Sequence, residues 1–159
     1  MMKKEKYLIA LDLSLSNTGI AVFDMQRELI EVQSIPTNSR SANHGERLKI
    51  IADRLIEIKN KYNVCEVAFE AGFSRHYKST RILSKVAGVA EYVFYDKKQY
   101  FYPPSTVKKA VTGSGRASKE ELKEVVEKKY PNIALKNLDI SDAISVGLCH
   151  FIKMDEKDE

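Results

Sequence analysis

The sequence predicts an α/β fold with a five-stranded mixed sheet flanked by helices. Three observations lead there. Short apolar runs of strand length alternate with polar connections. Longer segments carry apolar residues at helical spacing. The order is three strands, a helix, a strand, a helix, a strand and then helices. Hairpin strands followed by alternating helix and strand imply a mixed sheet covered on both faces.

Tyr7 to Leu13 is a nearly continuous apolar run and reads as the first strand. Ile20 to Asp24 and Leu29 to Ile35 follow across short polar connections, which suggests an antiparallel meander. His44 to Tyr62 reads as a helix, with Leu48, Ile51, Ala52, Leu55 and Ile56 on its apolar stripe. Val64 to Glu70 is a strand. Ser79 to Tyr95 is helical, with Leu83, Val86, Ala87, Ala90 and Val93 on one side. Gln99 to Tyr102 is a short aromatic strand. Pro103-Pro104 suits a loop entering a helix with Ser105 as N-cap. Thr112 to Arg116 holds two glycines and reads as a loop. Ser118-Lys119-Glu120-Glu121 has a capping-box pattern and opens a helix to about Lys129. Asp139 to Lys153 is a last helix, apolar on most sides and so largely buried.

The 159 residues fit one domain, expected over 1–154, followed by a short acidic tail at 155–159. No apolar run reaches bilayer length and no signal peptide is present, so the expected compartment is the cytoplasm of a bacterial or phage-infected cell, with no membrane partner. Cys65 and Cys149 sit in apolar stretches and read as reduced thiols. The net charge is +4, unevenly spread. Between Arg75 and Lys119 ten Lys or Arg face two acids, a net of +8, which leaves −4 for the rest. Such a stretch fits a polyanion, although a lysine-rich solvated surface gives the same pattern.

Four acids stand where carboxylates are costly. Asp12 interrupts Leu8-Ile9-Ala10-Leu11, Glu70 ends Val67-Ala68-Phe69, and Asp139 and Asp142 open an apolar helix. An ionised carboxylate removed from water needs a partner, a proton or a metal. Asp139 and Asp142 are three apart, so both point to one side of a helical turn. Asp12 and Glu70 lie at or near the carboxyl ends of their strands, a usual place for sites in sheet-and-helix folds. Convergence of the four would give a hard oxygen set suited to Mg²⁺ or Mn²⁺ and to two-metal phosphodiester cleavage. Singly, each acid has a plainer reading. Asp139 and Asp142 complement the helix N-terminus, Glu70 is a strand-end surface acid, and Asp12 sits in a structural ion pair. A lone Gly113-Ser114-Gly115 more often marks a turn than a phosphate cradle. The scattered His44, His76 and His150 give no zinc pattern.

Together these residues resemble the RuvC family of Holliday-junction resolvases, in the ribonuclease-H-like superfamily. The resemblance runs from Leu8 to Phe151. Leu11 to Ile20 is similar to the family's first motif, a strand Asp followed by a small-residue turn and Thr18-Gly19. Glu70-Ala71-Gly72-Phe73 is similar to the second, and Lys85 to Val89 to the helix after it. Pro104-Ser105-Thr106-Val107-Lys108, Val111 to Gly115 and Ala117-Ser118-Lys119 match a basic, glycine-containing block, and Asp139-Ile140-Ser141-Asp142 the last-helix pattern. The resemblance implies a ribonuclease-H-like sheet and a nuclease domain that resolves four-way junctions as a homodimer. It implies that Asp12, Glu70, Asp139 and Asp142 hold two Mg²⁺ ions per site, with Mn²⁺ able to substitute. Lys108 and Lys119 would oppose charge on the scissile phosphate. Phe73 would stack on a splayed base, and Arg75, Lys78, Arg81, Lys109 and Arg116 would join Lys108 and Lys119 in binding DNA. The nicks would carry 5′-phosphate and 3′-hydroxyl ends. The helix around Ile82 to Val93 would be the dimer surface.

Rival readings are a looser debranching nuclease, a non-catalytic junction-binding module, an RNA-processing nuclease and an actin-like or sugar-kinase-like ATPase. The ATPase needs two such domains around its nucleotide, and the chain supplies one. The binding module needs the basic stretch but not the four acids. The Pro104 to Lys119 block favours a DNA resolvase over an RNA nuclease.

Overall fold

The structure is a computed structural model, and it describes residues 4–38, 40, 43–70, 77–133 and 138–158, without the side chains of Tyr77, Leu138 and Asp139. Ten elements follow in order: β1 Tyr7–Asp12, β2 Asn17–Asp24, β3 Leu29–Pro36, α1 His44–Lys61, β4 Val64–Glu70, α2 Tyr77–Val93, β5 Lys98–Tyr102, α3 Pro104–Thr112, α4 Lys119–Lys129 and α5 Leu138–Lys157. The five strands form one sheet in the order β3-β2-β1-β4-β5. The β1–β2–β3 meander is antiparallel, and β4 and β5 are parallel to β1 and to each other.

Alternation along β1 and β4 divides the core. Ile9, Leu11, Val67 and Phe69 point to one face, where α1 and α2 contribute Ile51, Leu55, Val86 and Ala90. Leu8, Ala10, Ala21 and Ala68 point to the other, where α5 lays Ala143, Ile144 and Val146. The small side chains on that face let α5 approach closely. At Gly147 a Cβ would stand 2.2 Å from Cε2 of buried Phe23, so only glycine fits the crossing.

Several expected boundaries shift. Ser105 is not the cap of α3. Pro103, extended at φ −61° and ψ 150°, is the N-cap and Pro104 opens the helix, so the missing side-chain cap costs one fewer orphan N–H. β2 starts earlier, at Asn17, because the turn after β1 is tight: the Thr18 hydroxyl donates to Ser14 O (2.6 Å) and accepts from Ser14 N–H (3.2 Å). In α1 the buried position is Ile58, while Ile56 is exposed. Helix α5 runs through Lys157, beyond the expected end at Lys153 and into the acidic stretch, where Asp155 is held by the Arg27 guanidinium. Gly113, at φ 89°, is the left-handed C-cap of α3, which gives that glycine a helix-ending role. The capping box at Ser118 and Glu121 is present as expected. Both cysteines are free, Cys149 buried and Cys65 half-buried.

Candidate active site

Asp12 and Glu70 are the last residues of two neighbouring parallel strands. Leu11 pairs with Phe69, so the two acids sit one step further along, side by side at the carboxyl edge. Asp12 follows Leu8 and Ala10 in the period-two pattern, and Glu70 follows Ala68, so both face α5. That helix crosses this face and brings down Asp142, which is 7% exposed.

Helices α3 and α4 close the opposite side. Asp12, Glu70 and Asp142 line one cleft of about 260 Å³ with Lys108, Lys119, Pro104, Val107 and Leu122. Lys108 lies one turn into α3, whose direction is fixed where Pro103 and Pro104 leave β5. Lys119 is the first residue of α4, held there by the Ser118 cap. Its Nζ lies 3.3 Å from Asp142 Oδ2. Pro104, Val107 and Leu122 form an apolar wall, which lowers the local dielectric and strengthens every charge interaction in the cleft.

The electrostatics are those of a buried carboxylate beside a second acid. Burial pushes the Glu70 carboxyl up from 4.5 to about 6, and the negative charge of Asp142 pushes the same way. Lys119 and Lys108 pull it back in part. A cleft with more negative charge than two ammonium groups can neutralise, built from hard oxygen donors, fits a divalent cation. Among the described residues no three His, Cys, Asp or Glu side chains already stand in a metal-binding group. Asp139 lies three residues before Asp142 in the first turn of α5, but its side chain is outside the described residues.

The expected nucleic-acid residues divide. Phe73 and Arg75 lie outside the described residues. Lys78 and Arg81 are exposed in the first turns of α2, and Lys109 and Arg116 are exposed on α3 and the turn after it. None of these four lines the cleft. Three aromatics of the basic stretch are exposed: Tyr92 (79%), Tyr95 (76%) and Phe101 (44%). Leu122 was not singled out in the sequence, and Val107 and Thr18 were named there only as members of motifs, not as a wall residue and a turn lock. Val107 beside Lys108, and Leu122 three residues after Lys119, are the only local signals for the wall.

A family model described as crossover junction endodeoxyribonuclease RuvC matches residues 8–150. A relative of that name from Ehrlichia canis is 34% identical over 149 residues, covering 90% of this chain and 94% of the relative. Another, from Christiangramia forsetii, is 28% identical over 159 residues, covering 95% and 82%. Among solved structures, T. thermophilus RuvC in complex with a Holliday junction substrate superposes with a TM-score of 0.84 at 21% identity, covering 95% of this chain and 96% of that one. At that identity the superposition speaks for the fold, which is ribonuclease-H-like.

Proposed function

The chain belongs to the RuvC family of crossover junction endodeoxyribonucleases, and from that premise we propose that it resolves four-way DNA junctions by metal-dependent phosphodiester hydrolysis. The observation that supports this reading best is the cleft itself. Carboxylates from β1, β4 and α5 meet two lysines there, and burial, reinforced by the Asp142 charge, raises the Glu70 carboxyl to about 6.

Asp12, Glu70 and Asp142, joined by Asp139, are the proposed ligands of Mg²⁺, two ions per site with Mn²⁺ able to substitute. Bound there, the ions would supply Lewis-acid chemistry and neutralise charge on the phosphate. The chain's own groups do the rest. Lys119 now neutralises Asp142. With Asp142 holding a cation instead, the Lys119 ammonium would be available to the phosphate. Lys108 opposes charge on the same phosphate from the α3 side. The apolar wall keeps bulk water from competing for the site. The products are a 5′-phosphate and a 3′-hydroxyl.

Phe73, Arg75, Lys78 and Arg81 follow the Glu70 strand and are proposed to meet the branch point, by base stacking at Phe73 and by charge at the others. Lys109 and Arg116 extend the basic rim. A homodimer places two such clefts on symmetric strands, and the surface proposed for it is α2 beside α1, where Leu48, Ala52, Gly88, Val89 and Tyr92 line a shallow apolar groove. Among the described residues no helix is long and apolar enough to cross a membrane. A DNA substrate places the work in the cytoplasm of a bacterium or a phage-infected cell.

The test is cleavage of an end-labelled four-way junction beside a linear duplex of the same arms, with Mg²⁺ and with chelator. Paired symmetric nicks that need metal and are absent from the duplex are expected. Equal cutting of forks, flaps and single strands would replace the resolvase reading with a debranching nuclease. Binding without cutting in both metals would overturn the enzyme reading.

A further inference from the structure

A second polar cluster lies behind the cleft, on residues outside the family motifs described above. His150 of α5 is fully buried. Its Nε2 lies 2.6 Å from Glu66 Oε2, and its Nδ1 lies 2.7 Å from the Tyr102 hydroxyl. A carboxylate only accepts, so Nε2 carries the proton toward Glu66. In the neutral ring, Nδ1 then accepts from Tyr102. The ring is also held by Tyr100, with centroids 4.7 Å apart.

Each partner of this imidazole sits on, or directly before, an element that carries a cleft residue. Glu66 lies four residues before Glu70 on the same face of β4, about 13 Å along the strand. His150 lies eight residues after Asp142 on α5, about 12 Å along the helix. The two spans match, so α5 runs antiparallel to β4 and is tied to it at one end, with the two carboxylates facing each other at the other. Tyr102 ends β5, directly before the Pro103-Pro104 exit into α3 and Lys108. The apolar contacts of α5 with the sheet are non-directional and tolerate small slides. A hydrogen-bond chain centred on a fully buried imidazole, paired at both ring nitrogens, does not.

We propose that His150 is a positioning residue that, through Glu66 and Tyr102, fixes the mutual register of α5, β4 and α3 and so holds Asp142, Glu70 and Lys108 at metal-binding and reacting distance. This rests on the metal reading of the cleft given above. A displacement near 1 Å is enough to matter at such a site, at a cost of about a hundredfold in rate.

The experiment is Mn²⁺ binding to the full chain, by titration calorimetry, for wild type, Tyr102→Phe, Glu66→Leu, Glu66→Gln and a remote core control, Ile51→Val. Thermal midpoint and metal-free junction affinity are measured on each. Tyr102→Phe and Glu66→Leu are expected to bind Mn²⁺ roughly tenfold more weakly, the low end for groups that support metal ligands. Their metal-free junction affinity stays at the wild-type value. Glu66→Gln keeps an oxygen that accepts from Nε2–H, and should bind within about twofold of wild type. Ile51→Val lowers the midpoint and leaves Mn²⁺ binding alone. Tyr102→Phe loses a single hydroxyl and tests the idea even if Glu66→Leu does not fold. Wild-type Mn²⁺ affinity in both Tyr102→Phe and Glu66→Leu overturns the proposal, as does a loss that Ile51→Val reproduces at equal midpoint. A wild type that binds no Mn²⁺ overturns the metal reading itself, and this inference with it.

Discussion

Glu70 is asked to be charged in a place that disfavours charge. Its folded pKa, about 6, lies above the ordinary 4.5, so the folded state holds the proton more tightly than the unfolded one. That contribution to stability is complete below 4.5 and is lost as pH rises through 6. The metal-free protein therefore pays for an ionised Glu70 at neutral pH. Glu70→Gln should stabilise it by about 1–2 kcal/mol at pH 7.5, read by urea unfolding in chelator, while abolishing cleavage. Metal needs the deprotonated group, so Mg²⁺ affinity should fall as pH drops below 6 in a calorimetric pH series. Asp12→Asn should remove cleavage and keep junction binding, since it deletes a proposed ligand but no positive surface. Gel shift and nicking on one sample would check both halves. Lys119→Ala should lower the cleavage rate by about a hundredfold and affinity far less, as for other groups aimed at developing charge. The acids were legible in the sequence because a carboxylate in an apolar run carries its own cost, whereas Lys119 entered only through the family resemblance. The Glu66–His150–Tyr102 chain was not legible. Its members look like a surface acid, a stray histidine and a core aromatic, and only the tertiary structure pairs them.

At the level of elements, two devices hold the cleft. Helix α5 reaches the sheet because Gly147 leaves room for Phe23. Gly147→Ala should cost about 1–3 kcal/mol by overpacking, lower the thermal midpoint by several degrees and cut the cleavage rate by moving Asp142. The Phe23 ring would have to shift within a packed interior, which is why the cost is not small. Helix α4 presents Lys119 from its first position, with Ser118 accepting from Glu121 N–H at 3.1 Å. The capping box was readable because its pattern is local. The start of α3 was not. Ser105 has the better capping side chain, yet the fixed φ of two prolines sets the helix start two residues earlier than a hydroxyl would. The far end of α5 was misjudged because Asp155 and Glu156 look like a solvated tail, whereas Arg27, 128 residues away in sequence, extends the helix by binding Asp155.

For the whole molecule, the fold class followed from element order, but the adjacency of β1 and β4 did not. Their parallel pairing joins segments separated by a meander and a helix, and no local pattern encodes it. Charge asymmetry was readable in outline. It predicts that junction affinity falls steeply with salt, with a log–log slope of about −0.9 for each phosphate neutralised, measurable by fluorescence anisotropy. The same long-range topology has a consequence for synthesis. Asp12 leaves the ribosome with the meander, which can pair at once through local contacts. Asp142 is 130 residues behind it. At ordinary elongation speeds that is a delay of roughly ten seconds. A nascent chain therefore carries strand acids with no counterpart across the cleft, and the cell is exposed to a DNA-cutting activity only after translation has delivered α5.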